Sequence, residues 1–146
     1  MIRKATPADA AQIVEIETTS FFHHPWTLAM LNSALSDPLY SFYADERDGA
    51  LVGFGCIKHA GLEAEIDYIA VAERFRRQGI AQSLLAALLS DARTRGVQDV
   101  FLEVGAQNFP AVALYQKHGF TEAGIRKNYY GEGKDAVVMS AAVKDD

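Results

Sequence analysis

The sequence of 146 residues predicts a single α/β domain, with a mixed, mostly antiparallel sheet flanked by helices. Segments with strand-like alternation are interspersed with segments whose apolar residues recur at helical spacing. Three strand segments are separated only by short turns, which indicates an antiparallel meander. A long helical segment then lies between two strand segments, and such a crossover implies one parallel pair.

Composition and charge narrow the class of protein. Hydrophobic residues make up 49% and charged residues 23%, which is typical of a globular domain. No apolar run approaches the roughly 20 residues that span a bilayer, and "MIRKATPADA" lacks a signal-peptide core, so we expect a cytoplasmic protein that binds no membrane. The net charge of −5 argues against direct binding of nucleic acid and is compatible with a cationic substrate.

The first half of the chain is predicted to contain one strand, two helices and two further strands. Residues 2–6 form the first strand, and "TPADAAQIVEIETTSF" is a helix with Thr6 as its N-cap and Pro7 in its first turn. Pro25 in "HHPW" interrupts it, and "TLAMLNSALS" is the second helix. Strands are expected in "YSFYADE" and "LVGFGCIKHA", joined by a turn at Asp48-Gly49.

The second half alternates strands and helices. "LEAEIDYIAVA" is a strand with Leu62, Ala64, Ile66 and Tyr68 on one face. A helix runs from near Gly79 to about residue 96, and its core-facing residues are Ile80, Leu84, Leu85, Leu88, Leu89 and Ala92. "VQDVFLEV" is a strand, "NFPAVALYQKHG" a short helix capped by Asn108, and "FTEAGIRKNYY" and "DAVVMSAAV" are closing strands.

The single cysteine and the four histidines do not indicate a metal centre. Cys56 cannot form an internal disulfide, and its apolar surroundings favour a buried residue over a reactive thiol. His23, His24, His59 and His118 lack the spacing of metal ligands, so we expect no metal.

The stretch "FRRQGIAQSLL" predicts a phosphate site. It joins the end of a strand to the start of a helix, where free backbone N–H groups and the helix dipole attract anions. Glycine lets a phosphate approach the backbone, and Arg76 and Arg77 add positive charge. A basic loop with a glycine cap and no ligand is the alternative.

The loop resembles the Q/R-x-x-G-x-G/A pyrophosphate loop of the GCN5-related N-acetyltransferase (GNAT) family. "LEVGAQNFPAVALYQKHGF", "HPW" and "RKNYY" are similar to one branch, the RimI-type ribosomal-protein-alanine N-acetyltransferases, over nearly the whole chain. The resemblance implies acetyl transfer from acetyl-CoA to a primary amine in a ternary complex. It also implies a set of acetyl-CoA contacts: Ile69, Ala70, Val71, Arg76, Arg77, Gln78, Gly79, Ile80, Ala81, Gln82 and Asn108.

The same resemblance implies two catalytic residues. Glu103 matches the family's general base, and its alternative is a surface or salt-bridged glutamate. Tyr115 matches the general acid that protonates the departing thiolate, although its helical spacing also suits core packing. Trp26, Tyr129 and Tyr130 are candidates to line the substrate groove or else to pack in the core.

The expected substrate is the α-amine of a protein N-terminus, best fitted by the alanine of a small-subunit ribosomal protein, and we expect the enzyme to be a monomer. Gly105 and His24 depart from the branch pattern and leave the peptide preference open. Alternatives are an acetyltransferase acting on lysine, an antibiotic or another small amine, and a non-catalytic acyl-CoA-binding module.

Overall fold

The computed structural model of the protein describes residues 1–20 and 27–143. One sheet of seven strands forms the centre of the domain. The strands are β1 (Ile2–Lys4), β2 (Tyr40–Arg47), β3 (Ala50–Ala60), β4 (Glu63–Val71), β5 (Asp99–Gly105), β6 (Thr121–Arg126) and β7 (Ala136–Ala142). Their order in the sheet is β1-β2-β3-β4-β5-β7-β6. Only the β4–β5 pair is parallel, so the predicted mixed and mostly antiparallel sheet is confirmed.

Helices cover both faces of the sheet. They are α1 (Ala10–Ser20), α2 (Leu28–Leu35), α3 (Ile80–Thr94) and α4 (Phe109–Lys117), and short 3₁₀ turns precede α1 and α3. Helices α1 and α2 pack with β2, β3 and β4 in one apolar cluster. Helix α3 lies in a second cluster with β4, β5 and β7, and its predicted core residues are all buried. None of the described helices is long and apolar enough to span a membrane.

Local sequence signals explain where several helices and strands begin and end. The Thr27 hydroxyl accepts a hydrogen bond from the Met30 backbone at 3.1 Å and caps α2. Asp48 and Gly49 have φ angles of 53° and 81°, as the tight hairpin turn between β2 and β3 requires. Gly96, with a φ of 78°, ends α3 as predicted, and Cys56 is buried as expected.

Two predictions about strands are wrong. Tyr68 does not share a face with Ile66, because a bulge in β4 lies between them: Tyr68 packs with the α1–α2 cluster and Ile66 with the α3 cluster. The strand expected over residues 120–130 ends at Arg126. Asn128 has a left-handed backbone, with a φ of 56°, and its N–H donates to the Asp135 carboxylate at 2.9 Å, so the chain turns there.

Candidate active site

Strands β4 and β5 separate at one edge of the molecule. Their last paired residues are Ile66 and Leu102, yet β4 continues to Val71 and β5 to Gly105. A cleft of about 400 Å³ lies between the diverging ends and is lined by residues of both strands. Beyond Ile66, β4 stays paired with β3 but no longer pairs with β5.

A β-bulge shapes the wall of this cleft. Cys56 pairs with Tyr68 and Ile57 with Ile66, so Asp67 is the extra residue on β4. Bulges re-aim side chains and are common beside active sites. Asp67 is partly buried and lines the cleft. Burial, together with the charge of Glu65, raises the pKa of Asp67 to about 6.

A second cavity, of about 620 Å³, adjoins the start of α3. Gly79 caps the helix in the left-handed conformation, with a φ of 79°, and Arg77 also has a positive φ of 64°. A left-handed arginine is a strained conformation of the kind found at ligand sites. Ten predicted acetyl-CoA contacts line this one cavity: Ile69, Ala70, Val71, Arg76, Arg77, Gly79, Ile80, Ala81, Gln82 and Asn108.

Side chains fix the loop before α3 to the sheet. Arg76 Nε donates to the Val71 carbonyl oxygen at 3.1 Å. Gln78, the remaining predicted contact, accepts a hydrogen bond from Arg47 at 3.3 Å and is not among the residues lining the cavity. The free N–H groups of α3 and the nearby guanidinium groups make this cavity suited to a diphosphate.

Asn108 lies between the two cavities and lines both. Its side-chain oxygen accepts a hydrogen bond from the Ala111 backbone at 3.4 Å, so it caps α4 as predicted. Ile69 also lines both cavities. A long ligand could therefore extend from the phosphate loop past Asn108 into the cleft between β4 and β5.

Glu103 lies in β5, one residue beyond its last pair with β4, and lines the cleft. Its Oε1 accepts from Arg126 Nε at 2.8 Å. The position in the cleft and the salt bridge, which the sequence posed as alternatives, therefore occur together.

Tyr115 points from α4 toward the cleft and packs its ring edge-on against Phe120, with 5.9 Å between ring centroids. Burial raises the pKa of Tyr115 to about 12, with a smaller contribution from Tyr130. The hydroxyl forms no hydrogen bond with any residue in 1–16 or 27–143, so it remains a protonated donor available to a ligand over the neutral pH range.

The loop between β6 and β7 closes one side of the cleft. Tyr130 lines the cleft, whereas Tyr129 is 43% exposed and contacts Tyr130 edge-on at 5.0 Å. The backbone N–H of Ala106 donates to the Asp135 carbonyl oxygen at 2.9 Å and ties the loop to the end of β5. Trp26, the third predicted substrate contact, lies outside the described residues.

Sequence reasoning missed three charged residues of the cleft. Lys134 and Asp135 line it from the β6–β7 loop. Asp67 lines it from β4, and its sequence signal was a carboxylate in the otherwise apolar segment "IDYIAV". The bulge that directs Asp67 into the cleft has no comparable signal, because it depends on the register between β3 and β4.

The split sheet, the glycine-capped helix start with its arginines and the adjoining cleft form the arrangement expected of an acyl-CoA-dependent transferase. The model of the acetyltransferase (GNAT) family matches residues 9–120, and the chain belongs to this family. It is an N-acetyltransferase, and members of the family use acetyl-CoA as co-substrate.

Similar proteins include enzymes named for a particular substrate. The [ribosomal protein bS18]-alanine N-acetyltransferase of Escherichia coli (strain K12) is 33% identical over 143 residues, which cover 96% of this chain and 94% of that protein. The N-alpha-acetyltransferase RimI of Mycobacterium tuberculosis (strain ATCC 25618 / H37Rv) is 37% identical, covering 92% of this chain and 87% of its own. The crystal structure of the ribosomal-protein-S18-alanine N-acetyltransferase from Escherichia coli superposes with a TM-score of 0.90 at 30% identity, covering 100% of this chain and 95% of that one.

Proposed function

We propose that this enzyme transfers acetyl from acetyl-CoA to the N-terminal α-amine of a protein. The best-supported substrate is the N-terminal alanine of a small-subunit ribosomal protein. The observation that carries the proposal is the cleft between β4 and β5, where Glu103 and Tyr115 line one space beside the phosphate-binding cavity. The names of the similar enzymes support the choice of substrate.

The two cavities would bind different parts of acetyl-CoA. The start of α3, with Arg76, Arg77 and Gly79, would hold the diphosphate of acetyl-CoA through backbone N–H groups and positive charge. Asn108 and Ile69 line both cavities and would guide the ligand toward the cleft. Acetyl-CoA supplies an acetyl group activated as a thioester.

Two residues of the cleft transfer protons during the reaction. Glu103 accepts a proton from the attacking nitrogen as the C–N bond forms. An α-amine has a pKa of about 7.7–8.0, so it arrives mostly as ammonium at pH 7. The Tyr115 hydroxyl donates a proton to the departing sulfur; its raised pKa keeps that proton in place until it is needed. The acidic cleft wall attracts a basic peptide N-terminus.

The experiment compares two short basic peptides incubated with acetyl-CoA and the enzyme. One begins with free alanine and lacks lysine; the other is blocked at its α-amine and carries lysine. We expect mass spectrometry to find acetyl only on the free N-terminus. Acetylation of the blocked peptide would assign the enzyme to lysine side chains, and failure of both peptides with acetyl-CoA still bound would favour a small-molecule amine.

A double variant, Glu103→Gln with Tyr115→Phe, serves as the control for uncatalysed transfer. It retains the size of both side chains and removes both proton-transfer groups. We expect it to bind acetyl-CoA normally by calorimetry and to acetylate neither peptide above the enzyme-free rate.

A further inference from the structure

Proton balance in the proposed reaction calls for more than one acceptor. An ammonium and a thioester become an amide and a thiol, so one C–N bond forms, one C–S bond breaks and the nitrogen loses two protons. One proton is balanced by the proton that Tyr115 delivers to sulfur. The other leaves to solvent, and it must leave before the nitrogen attacks, because an ammonium has no free electron pair.

Glu103 is poorly suited to take both protons. Its Oε1 is 2.8 Å from Arg126 Nε. That oxygen is already engaged by a guanidinium, so it is less accessible to an incoming ammonium. A second acceptor in the same cleft would remove this difficulty.

Asp67 has the position and the surroundings of such an acceptor. It is the bulged residue of β4, directly after the last β4–β5 pair, and it lines the cleft together with Glu103 and Tyr115. Within residues 1–16 and 27–143, no group donates a hydrogen bond or forms a salt bridge to its carboxylate. Its oxygens are therefore available to a ligand.

Charged and titratable groups face Asp67 from every neighbouring strand. They are Tyr40 on β2, Lys58 on β3, Glu65 on β4 and Glu103 on β5, with Lys134 and Asp135 in the β6–β7 loop beyond the cleft. Burial and the two glutamates raise the pKa of Asp67 to about 6, whereas Lys58 opposes the rise. A carboxylate with this pKa is a stronger base than an ordinary aspartate.

We propose that Asp67 binds the incoming ammonium and takes its first proton, which then passes to solvent, leaving Glu103 to take the second proton as the C–N bond forms. This step rests on the proposed transfer to an α-amine. It assigns to the bulge of β4 a role in delivering the amine in its neutral, reactive form.

The test is the pH dependence of kcat/KM for an alanine peptide with the Asp67→Asn variant. At pH 6.5, where the amine arrives charged, we expect a loss of on the order of 100-fold. At pH 9.5 the amine arrives neutral, so the loss should shrink to less than about 5-fold. The peptide KM at pH 6.5 should also rise, because the ammonium loses an ion partner.

Asp99→Asn is the matched control. Asp99 is the exposed first residue of β5 and lies outside the cleft. The same substitution there should leave kcat/KM unchanged at pH 6.5 and at pH 9.5. Calorimetric titration with acetyl-CoA tests whether each variant is folded. If Asp67→Asn does not bind acetyl-CoA, Asp67→Ser replaces it, and that variant should show the same loss at pH 6.5 because it also lacks a carboxylate.

The outcomes separate the two proposals. An unaltered kcat/KM in Asp67→Asn, or a loss of equal size at both pH values, would overturn the role of Asp67 while leaving α-amine transfer intact. The same two results in Asp67→Ser, if that variant is used, would overturn it as well. A wild-type enzyme that acetylates no α-amine would instead overturn the proposed function and this step with it.

Discussion

Asp67 and Asp91 are two aspartates withdrawn from solvent, and their surroundings are opposite. Asp91 on α3 accepts hydrogen bonds from Ser41 at 2.7 Å and Tyr43 at 3.0 Å, and it pairs with Arg95 at 3.2 Å. Burial favours its protonated form, but these hydrogen bonds and Arg95 prevail and lower the pKa of Asp91. Asp67 has no such donors among the described residues, and its pKa rises to about 6.

The number of hydrogen-bond donors around a buried carboxylate distinguishes a structural aspartate from one that can react with a ligand. Asp91 uses its oxygens to join α3 to β2 and β3, so it has little capacity left for a ligand. Its neighbours even include a serine and a histidine, as in hydrolases, but Ser41 and Asp91 both contact Nε2 of His59, at 3.2 and 3.1 Å. A catalytic relay requires the aspartate on the other ring nitrogen, which no described residue contacts here.

The largest effect expected from this comparison is on stability. Asp91→Ala leaves Ser41, Tyr43 and His59 without their shared acceptor, so we expect the free energy of unfolding to fall by about 3 kcal/mol in urea titrations. Turnover per folded molecule should persist. A variant with normal stability but no turnover would contradict the structural role of Asp91, because Asp91 would then take part in catalysis.

Tyr115 and Tyr43 form a second such pair, because the pKa of each is about 12. Among the described residues, only Tyr43 has a hydrogen-bond acceptor. Tyr115→Phe should lower kcat by on the order of 100-fold with little change in KM or melting temperature. Tyr43→Phe is the control and should keep its kcat while losing about 1 kcal/mol of stability. Full turnover in Tyr115→Phe would remove it as the acid.

A smaller effect is expected in the cavity beside the start of α3, which we propose binds the diphosphate of acetyl-CoA. Arg77→Ala should weaken acetyl-CoA binding about 10-fold by calorimetry, since one charge-assisted contact contributes roughly 1.5 kcal/mol. Arg93→Ala removes the same charge from the far end of α3 and should leave the affinity unchanged. Adding Gly79→Val to Arg77→Ala should weaken acetyl-CoA binding further without unfolding the domain. An unaltered affinity in the double variant would contradict the proposal that this loop binds the diphosphate.

The smallest effect concerns the pH dependence of stability. Burial, and then the charge of Arg95, lower the pKa of His59 below its ordinary value. The unfolded chain therefore binds a proton at a higher pH than the folded one, and stability falls as the pH drops below about 6.5. His59→Gln should flatten the change in unfolding free energy between pH 6.5 and 5 in urea titrations. An unchanged slope would mean that His59 titrates alike in both states.

Much of this arrangement could be predicted from the sequence, because local signals control it. Gly79 and the apolar periodicity of α3 predicted where this helix starts, and ten of the residues named as acetyl-CoA contacts line one cavity beside that start. Asn108 was predicted as a cap and is one. Such features depend on neighbours within a few residues, which the sequence displays directly.

The rest depends on contacts between distant segments. The bulge at Asp67 arises from the register of β3 against β4, and the salt bridge of Glu103 requires Arg126, 23 residues away by number, from a strand on the far side of β7. The turn at residues 127–130 follows from Asp135 binding the Asn128 backbone. No local pattern encodes these pairings, so sequence reasoning placed Glu103 in the site but not its partners.

Selectivity for the α-amine over lysine can be measured within one peptide that begins with free alanine and also contains lysine. After incubation with acetyl-CoA and the enzyme, tandem mass spectrometry locates each acetyl group. We expect acetyl on the α-amine in preference to the lysine side chain, with the preference lost in the Glu103→Gln, Tyr115→Phe double variant. Enzyme-dependent acetyl on lysine, with the N-terminus unmodified, would contradict the account.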